Sequence, residues 1–135
     1  MGDYLMDTSV FVAAEQGRPL TDPPEGDARI SVATLTELLV GVGRATDEPL
    51  RTLRAATVAR AGKFVALPYD EVVARRLAKL LVAARDQRRR AGAMDAILAA
   101  TALAHDLTVW TQDDDFEVLA ELAPELRVQS GRVRR

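Results

Sequence analysis

The feature of this sequence that most constrains its fold is the alternation of short apolar segments with longer helical segments. Apolar runs bounded by turn signals predict strands over residues 3–6, 28–32, 64–67, 108–110 and 126–128. Apolar residues at helical spacing predict helices over residues 10–16, 33–43, 49–62 and 94–105, a long helix capped by Asp70, and a short helix before the last strand. Strands separated by helices form right-handed crossovers. We therefore predict an α/β fold with a mostly parallel central sheet of four to five strands, covered on both faces.

Length and composition narrow the classes of protein further. A chain of 135 residues supports a single hydrophobic core. It has no cysteine and one histidine, which excludes disulfides, thiolate zinc sites and histidine-rich metal sites. A net charge of -2 provides no global positive field, so any site for a polyanion must be local. The longest uncharged helical run is too short for a bilayer span, and no basic signal region precedes it, so we expect a cytoplasmic protein.

Three isolated acidic residues stand where a purely structural pattern would have apolar ones. Asp7 follows the first predicted strand. Glu37 is the only charged residue in the segment 30–42, and Asp95 is the only one in the segment 91–104. Each has an ordinary alternative explanation: Asp7 could cap a helix, Glu37 could face solvent, and Asp95 could stabilise a helix N-terminus.

A further acidic group follows another predicted strand, where Asp113, Asp114 and Asp115 form a loop that could simply be solvated. Ligands bind at the carboxyl ends of parallel strands, and all four acidic positions can face that edge of the sheet. Clustered carboxylates repel one another unless a cation neutralises them, and a set of oxygen ligands favours Mg²⁺ or Mn²⁺. Such a metal activates water and polarises a phosphodiester, so the predicted chemistry is phosphodiester hydrolysis.

Four motifs resemble those of the PIN-domain family of metal-dependent nucleases, and specifically those of VapC toxins from bacterial toxin–antitoxin pairs. In order along nearly the whole chain they are MDTSV (residues 6–10), SVATLTEL (31–38), MDAILAATA (94–102) and TQDDDF (111–116). The resemblance implies a single three-layer α/β/α domain over residues 1–129. A basic tail follows over residues 130–135, in a terminal position that chains often leave disordered.

The resemblance also implies roles for individual residues. It implies four catalytic metal ligands: Asp7, Glu37, Asp95 and Asp113. In the fourth motif Asp115 is the second choice, and Asp114 is expected to be exposed. Thr8 and Ser9 resemble hydroxyl residues that orient a carboxylate or a metal-bound water, although they could instead serve as helix caps, and Ser9 is predicted to cap the first helix. The nucleophile is then a metal-activated water.

By the same resemblance the protein is an endoribonuclease dependent on Mg²⁺ or Mn²⁺. It acts on RNA, forms a homodimer, and is neutralised by a VapB-like antitoxin that lies across its groove and places a basic side chain among the carboxylates. Arg88, Arg89 and Arg90 are candidates for binding RNA phosphates near Asp95, although a solvated helix end also explains them. The alternative is a catalytically degenerate PIN module that only binds RNA or protein. That alternative predicts the loss of an acidic position, and the sequence keeps all four.

Overall fold

The computed structural model describes residues 2–133 and contains one five-stranded sheet between two layers of helices. The strands are β1 (Tyr4–Met6), β2 (Ala28–Ser31), β3 (Val65–Leu67), β4 (Thr108–Thr111) and β5 (Val128–Ser130). The helices are α1 (Thr8–Glu15), α2 (Val32–Gly43), α3 (Glu48–Ala61), α4 (Glu71–Asp86), α5 (Ala93–His105) and α6 (Asp115–Leu122). All neighbouring strands pair in parallel, in the order β3-β2-β1-β4-β5. The predicted three-layer α/β fold with a parallel sheet is confirmed.

Strand β1 lies at the centre of the sheet and is buried on both faces. Tyr4 and Met6 pack on one face with Ile30 and Trp110, whereas Leu5 packs in the cluster on the other face. This split follows from the alternation of side chains along a strand. A central strand with apolar residues on both faces must be covered by helices on both sides, which short parallel crossovers provide.

Two hydrophobic clusters hold the helices against the sheet. Helices α4, α5 and α6 contribute Val73, Leu98 and Phe116, all fully buried, to the cluster around Leu5. On the other face, the cluster around Ile30 takes these residues from α1, α2 and α3: Val10, Phe11, Leu38 and Ala61. Burial of a large apolar side chain stabilises the fold by roughly 1.5–3 kcal/mol. Within residues 2–133, no helix combines the length and the apolar character needed to cross a lipid bilayer.

The C-terminal strands differ from the prediction at their ends. Strand β4 extends to Thr111, because Thr111 pairs with Ser130 and its carbonyl accepts a hydrogen bond from Gly131 N at 2.7 Å. The last strand begins two residues later than the predicted segment 126–128. Leu126 lies in the loop before β5 and packs in the core. Its apolar side chain therefore reflects burial and not strand pairing.

The predicted domain boundary after residue 129 falls inside β5, so the sheet continues past it. Beyond the strand, Arg132 forms an isolated antiparallel bridge with Leu20. Thr21 N donates to the carbonyl of Gly131 at 3.0 Å, which ties this segment to the loop before β2. Arg134 and Arg135, the remainder of the expected tail, lie outside the described residues.

We predict that Gly131→Ala destabilises the protein by about 1–3 kcal/mol, because it overpacks a closed region. A Cβ at this position would lie 3.0 Å from Trp110 Nε1 and 3.2 Å from Gln112 Nε2, two buried nitrogens that have no hydrogen-bond partner among the described residues. The measurement is the free energy of unfolding in urea.

Gly43→Ala is the matched control, because a Cβ on Gly43 meets nothing within 4 Å and Gly43 ends a helix. We expect this control to leave stability unchanged or to raise it by less than about 1 kcal/mol. Equal stability of Gly131→Ala and the wild type would contradict the described packing.

Candidate active site

Four segments bring acidic residues to the carboxyl edge of the sheet. Asp7 directly follows β1, and Glu37 lies in the second turn of α2, which follows β2. Asp95 lies in the first turn of α5, and Asp113 lies in the loop between β4 and α6. Because β1, β2 and β4 are parallel neighbours, their carboxyl ends meet at one edge. The fold therefore brings acidic residues that are distant in sequence close enough for their charges to interact.

The carboxylate of Asp7 is buried and is not used for helix capping. Asp7 occupies the N-cap position of α1, yet its side chain makes no cap hydrogen bond. Instead its Oδ2 accepts hydrogen bonds from Ser9 Oγ at 2.6 Å and from Thr111 Oγ1 at 2.8 Å. With 2% of its surface exposed, Asp7 is among the most buried polar residues in the described chain. Burial raises its pKa, the two hydroxyl hydrogen bonds oppose that shift, and the charge of Glu37 adds to it.

The prediction that Ser9 caps the first helix is wrong, because α1 already begins at Thr8. The Ser9 hydroxyl is engaged by donating to Asp7 and by accepting from Gln112 N at 2.9 Å. A hydroxyl one residue inside the helix can reach back to the preceding carboxylate, and here that contact replaces capping. Ser9 thereby links the end of β1 to the loop after β4.

Glu37 is half-buried and hydrogen-bonded, so it is not a purely solvent-facing residue. Thr8 Oγ1 donates to Glu37 Oε1 at 2.6 Å and lies 3.2 Å from Thr34 Oγ1. Thr34 is fully buried one turn before Glu37 on α2. These hydroxyls attach the start of α1 to α2 and fix one oxygen of the glutamate.

Asp95 lies in the combined field of the other acidic residues. Burial and then the charges of nearby carboxylates raise its pKa to about 7; in order of effect, those carboxylates belong to Asp7, Asp115, Asp113 and Glu37. The helix N-cap is Gly92, which makes no side-chain cap, and among the described hydrogen bonds none is made to the Asp95 carboxylate. The alternative that Asp95 is a helix cap therefore has no hydrogen bond to support it.

The three acidic residues of the fourth motif are exposed but face different surroundings. Asp113 N donates to Thr111 Oγ1 at 2.9 Å, and burial followed by the charges of Asp7 and Asp115 raises the pKa of the Asp113 carboxyl. Asp115 begins α6 and acts on both Asp113 and Asp95. Asp114 instead lies 3.5 Å from the guanidinium of Arg132. Asp113 and Asp115 thus raise the pKa of Asp95, whereas Asp114 is paired with Arg132, whose charge also lowers the pKa of Asp113.

Thr111 is a site residue that the sequence analysis missed. It donates to Asp7, accepts from Asp113 N, and lies 3.3 Å from Ser9 Oγ. Its position as the last residue of a strand, immediately before an acidic loop, was the available signal. The partner, however, lies 104 positions away in sequence, so its role emerges only from the pairing of β1 with β4.

The carboxylates of the site are suitable ligands for a hard divalent cation, although they do not lie close enough together to bind one as they stand. Within residues 2–133, no three acidic or histidine side chains are close enough to form a ready-made metal site. Every candidate donor is nevertheless a carboxylate, and carboxylates alone raise the pKa of Asp95 by their charge. A cation of the Mg²⁺ type relieves such repulsion. Its binding here would require side chains to move toward one another.

The predicted arginine group lies on the connection between α4 and α5. Arg88, Arg89 and Arg90 are all exposed, and Arg88 adopts a positive φ of 54° at the end of α4. Arg89 donates to Glu121 Oε2 at 2.7 Å. The segment leads through Gly92 directly into the first turn that carries Asp95. The arginines are therefore near the site along the chain, and one of them has an acidic partner.

Comparisons with known proteins agree with this architecture. The family model described as PIN domain matches residues 4–122. Ribonuclease VapC5 from Mycobacterium tuberculosis is 40% identical over 116 residues, which cover 85% of this chain and 86% of that protein. Ribonuclease VapC8 from the same species is 41% identical over 104 residues, which cover 76% of this chain and 92% of that protein. A crystal structure of VapBC-5 from Mycobacterium tuberculosis, a member of a toxin–antitoxin family, is similar with a TM-score of 0.79 and 35% identity, covering 98% of this chain and 100% of that one.

We predict that Thr111→Val destabilises the protein by about 1–3 kcal/mol in urea unfolding. The change removes a hydrogen bond to a buried carboxylate and the acceptor of Asp113 N. Thr108→Val on the same strand is the control, because its hydroxyl accepts only a 3.3 Å contact from Arg127 Nε. A control that loses as much stability as Thr111→Val would show that the hydroxyl network is not responsible.

We also predict that Asp95→Asn raises the thermal stability of the metal-free protein more at pH 8 than at pH 5. A carboxyl whose folded pKa is raised to about 7 contributes stability that is fully present below its unfolded pKa of about 3.9 and is lost as pH rises from there through about 7. The amide imitates the protonated form. We expect a gain in Tm on the order of 3 °C at pH 8. This is less than the raised pKa alone would imply, because solvent screens the charge of this partly exposed side chain.

The measurement is thermal unfolding in a chelator from pH 5 to pH 8, with Asp114→Asn as the control because Asp114 pairs with Arg132. If the difference between Asp95→Asn and the wild type stayed constant across this range, carboxylate repulsion would not be acting on Asp95.

Proposed function

Because the chain belongs to the PIN-domain family and to its VapC group, we propose that it is an endoribonuclease toxin neutralised by a VapB-like antitoxin. The proposed reaction is hydrolysis of RNA phosphodiester bonds by metal-activated water. The relatives named ribonucleases support the substrate class. The likeness to a VapBC structure supports the class of partner.

One observation carries the proposal: carboxylates from separate segments act together on Asp95. Its pKa is raised to about 7 by burial and by four other carboxylates, which belong to the residue after β1, to α2, to the loop before α6 and to the first residue of α6. A fold gains no stability from gathering like charges in a partly buried region. Such an arrangement is typical of sites that hold a cation for phosphodiester hydrolysis.

The carboxylates are the proposed ligands of a divalent cation. A bound cation would supply a Lewis acid and lower the pKa of a coordinated water. The ligands we propose are Asp7, Glu37, Asp95 and Asp113. Asp115 is the second choice for the position of Asp113, and its charge also raises the pKa of Asp95. Mg²⁺ or Mn²⁺ is proposed because all of these donors are carboxylate oxygens.

Hydroxyl residues would keep the carboxylates oriented. Ser9 and Thr111 both donate to Oδ2 of Asp7, and Thr8 donates to Oε1 of Glu37. The hydroxyl contacts all fall on one oxygen of each acid, Oδ2 of Asp7 and Oε1 of Glu37. The second oxygen of each acid is the one proposed to bind the ion, as is usual for oriented ligands.

The exposed arginines Arg88, Arg89 and Arg90 are proposed to bind RNA phosphates. Their segment leads into the helix that carries Asp95, and arginine presents a planar fork of donors that matches phosphate. Arg89 would exchange its contact with Glu121 for a phosphate. Removal of these charges would weaken binding to all RNA sequences and reduce its dependence on salt.

The proposed partners are a VapB-like antitoxin and a second copy of the chain. Clustered carboxylates without a cation attract a basic side chain, which an antitoxin segment lying across the groove would supply. Exposed apolar residues on the helices, including Leu39 and Val40 of α2 and Leu53 of α3, provide surface that protein partners can cover.

A second candidate, a PIN module that only binds RNA or protein, is favoured by one observation. The described residues contain no ready-made group of three metal ligands. Against it, all four acidic positions are present, and the other three together with Asp115 raise the pKa of Asp95 by charge. The two candidates differ in whether metal and Asp95 are needed for cutting RNA.

We predict that the antitoxin-free protein cuts total cellular RNA into discrete fragments with added Mg²⁺ or Mn²⁺ and not in a chelator. Asp95→Asn and Glu37→Gln should each lower the rate more than about 100-fold. Such a loss exceeds the usual effect of mutating a residue that only hydrogen-bonds to a metal ligand. The rate is followed by gel separation and fragment sequencing.

Asp114→Asn is the matched control, because it removes a neighbouring carboxylate that pairs with Arg132 instead of acting on Asp95. It should keep most of the activity. Metal-independent RNA binding without cutting, in every RNA pool tested, would instead identify the binding-only module.

A further inference from the structure

A cavity of about 590 Å³ extends from the acidic site between α1, α2 and α3. Thr8, Glu37 and Met94 line it near the site, and Arg44 and Arg54 line it farther along α2 and α3. We infer that this cavity is a subsite for the nucleotide beside the cut bond, with Arg54 and Arg44 binding its phosphate. The inference rests on the proposed function, because it requires an RNA strand across the carboxylates.

Arg54 is a half-buried cation without an acidic partner among the described residues. Its Nη1 donates to the carbonyl of Gly41 at 2.6 Å, and none of the ion pairs within residues 2–133 includes it. Neighbouring arginines of α3 differ: Arg51 pairs with Glu48, and Arg60 donates to Thr57. A partly buried guanidinium with most of its donors unused favours an anion, and its fork matches a phosphate.

Arg54 lies against α2 at Gly41. A Cβ on Gly41 would lie 3.9 Å from Arg54 Cδ, so the arginine stem passes close to the backbone of α2. Gly41 lies one helical turn after Glu37. Arg54 from α3 and Glu37, a candidate metal ligand, therefore line the same cavity one turn apart along α2.

Arg44 adds a second cation to the same wall. It follows the last residue of α2, is exposed, and makes no described side-chain hydrogen bond. The wall also contains one acid besides Glu37, which is Glu15. Its Oε1 accepts from Thr57 Oγ1 at 2.8 Å, and Thr57 also accepts from Arg60. Glu15 is thus engaged beneath α3, while Arg44 and Arg54 remain available to a ligand.

The chemistry of the cavity fits a nucleotide unit of RNA. An RNA strand held with one phosphate at the carboxylates continues past them, and cations near its next phosphate add affinity by replacing counterions. The cavity volume lies within the range of small-ligand sites. Val12, Val40 and Met94 give it an apolar surface beside the arginines, on which a sugar or base can pack.

The test measures binding of a labelled, random-sequence single-stranded RNA by fluorescence anisotropy at several KCl concentrations. All proteins carry Asp95→Asn to prevent cutting, and Mg²⁺ is present. We expect Arg54→Gln and Arg44→Gln each to weaken binding about tenfold and to lower the salt slope by about 0.7, the value for one lost phosphate contact on a single strand. Arg54→Lys should restore the slope but not the full affinity.

Arg51→Gln is the matched control, because it removes a charge from the same helix outside the cavity. Arg44→Gln is the cavity variant that should fold normally, because the Arg44 side chain makes no hydrogen bond or ion pair among the described residues. In the cutting enzyme, the cavity variants should raise KM more than they lower kcat.

The outcomes separate this inference from the proposed function. Arginine variants that match Arg51→Gln in affinity and slope, in a protein that cuts RNA, overturn the subsite and leave the nuclease intact. Arginine-dependent RNA binding in a wild type that does not cut refutes the nuclease and overturns a subsite beside a cut bond, leaving the cavity as the RNA site of a binding-only module. A protein that neither cuts nor binds RNA overturns both.

Discussion

Mutual repulsion among carboxylates at one edge of the sheet is the interaction to which the rest of this structure is adapted. Burial raises the pKa of Asp95 most, and the charges of Asp7, Asp113 and Glu37 raise it further. Such a group persists only where stronger interactions hold its members in place. Two packed apolar layers supply that stability, while the hydroxyls of Thr8, Ser9 and Thr111 supply local compensation.

The acids receive different numbers of hydroxyl hydrogen bonds, and this difference distinguishes their roles. Asp7 is the most enclosed and receives two hydroxyl hydrogen bonds, which oppose the effect of burial on its pKa. Glu37 receives one. Asp95 receives none among the described residues, so its charge is the least supported by the protein. An ion at this edge would therefore change the state of Asp95 more than that of its neighbours.

Much of the fold and of the acidic cluster could be predicted from the sequence because both depend on local patterns. Apolar segments separated by helices determine a parallel sheet, and a lone charge such as Glu37 or Asp95 is conspicuous in an apolar helix. Thr111 could not be found in this way, because an ordinary strand residue acquires its role only when β1 pairs with β4. The shift of the last strand has a similar cause. Leu126 is apolar because it packs in the core, and only the three-dimensional packing distinguishes this from strand pairing.

The long sequence separation between Asp7 and Thr111 has a consequence for how the protein is made. Strand β1 and its first acid are made about a hundred residues before β4, which supplies the carbonyl that accepts from Asp7 N and the hydroxyl that donates to Asp7 Oδ2. A nascent chain that ends before β4 has the first acid without its hydroxyl partner and lacks the fourth motif altogether. Because non-local pairing of parallel strands must await the later strand, the nascent chain carries an incomplete site until β4 and the loop after it have been made. The order of the segments along the chain thus sets the order in which the site is assembled, with the first acid made long before the hydroxyl that holds it.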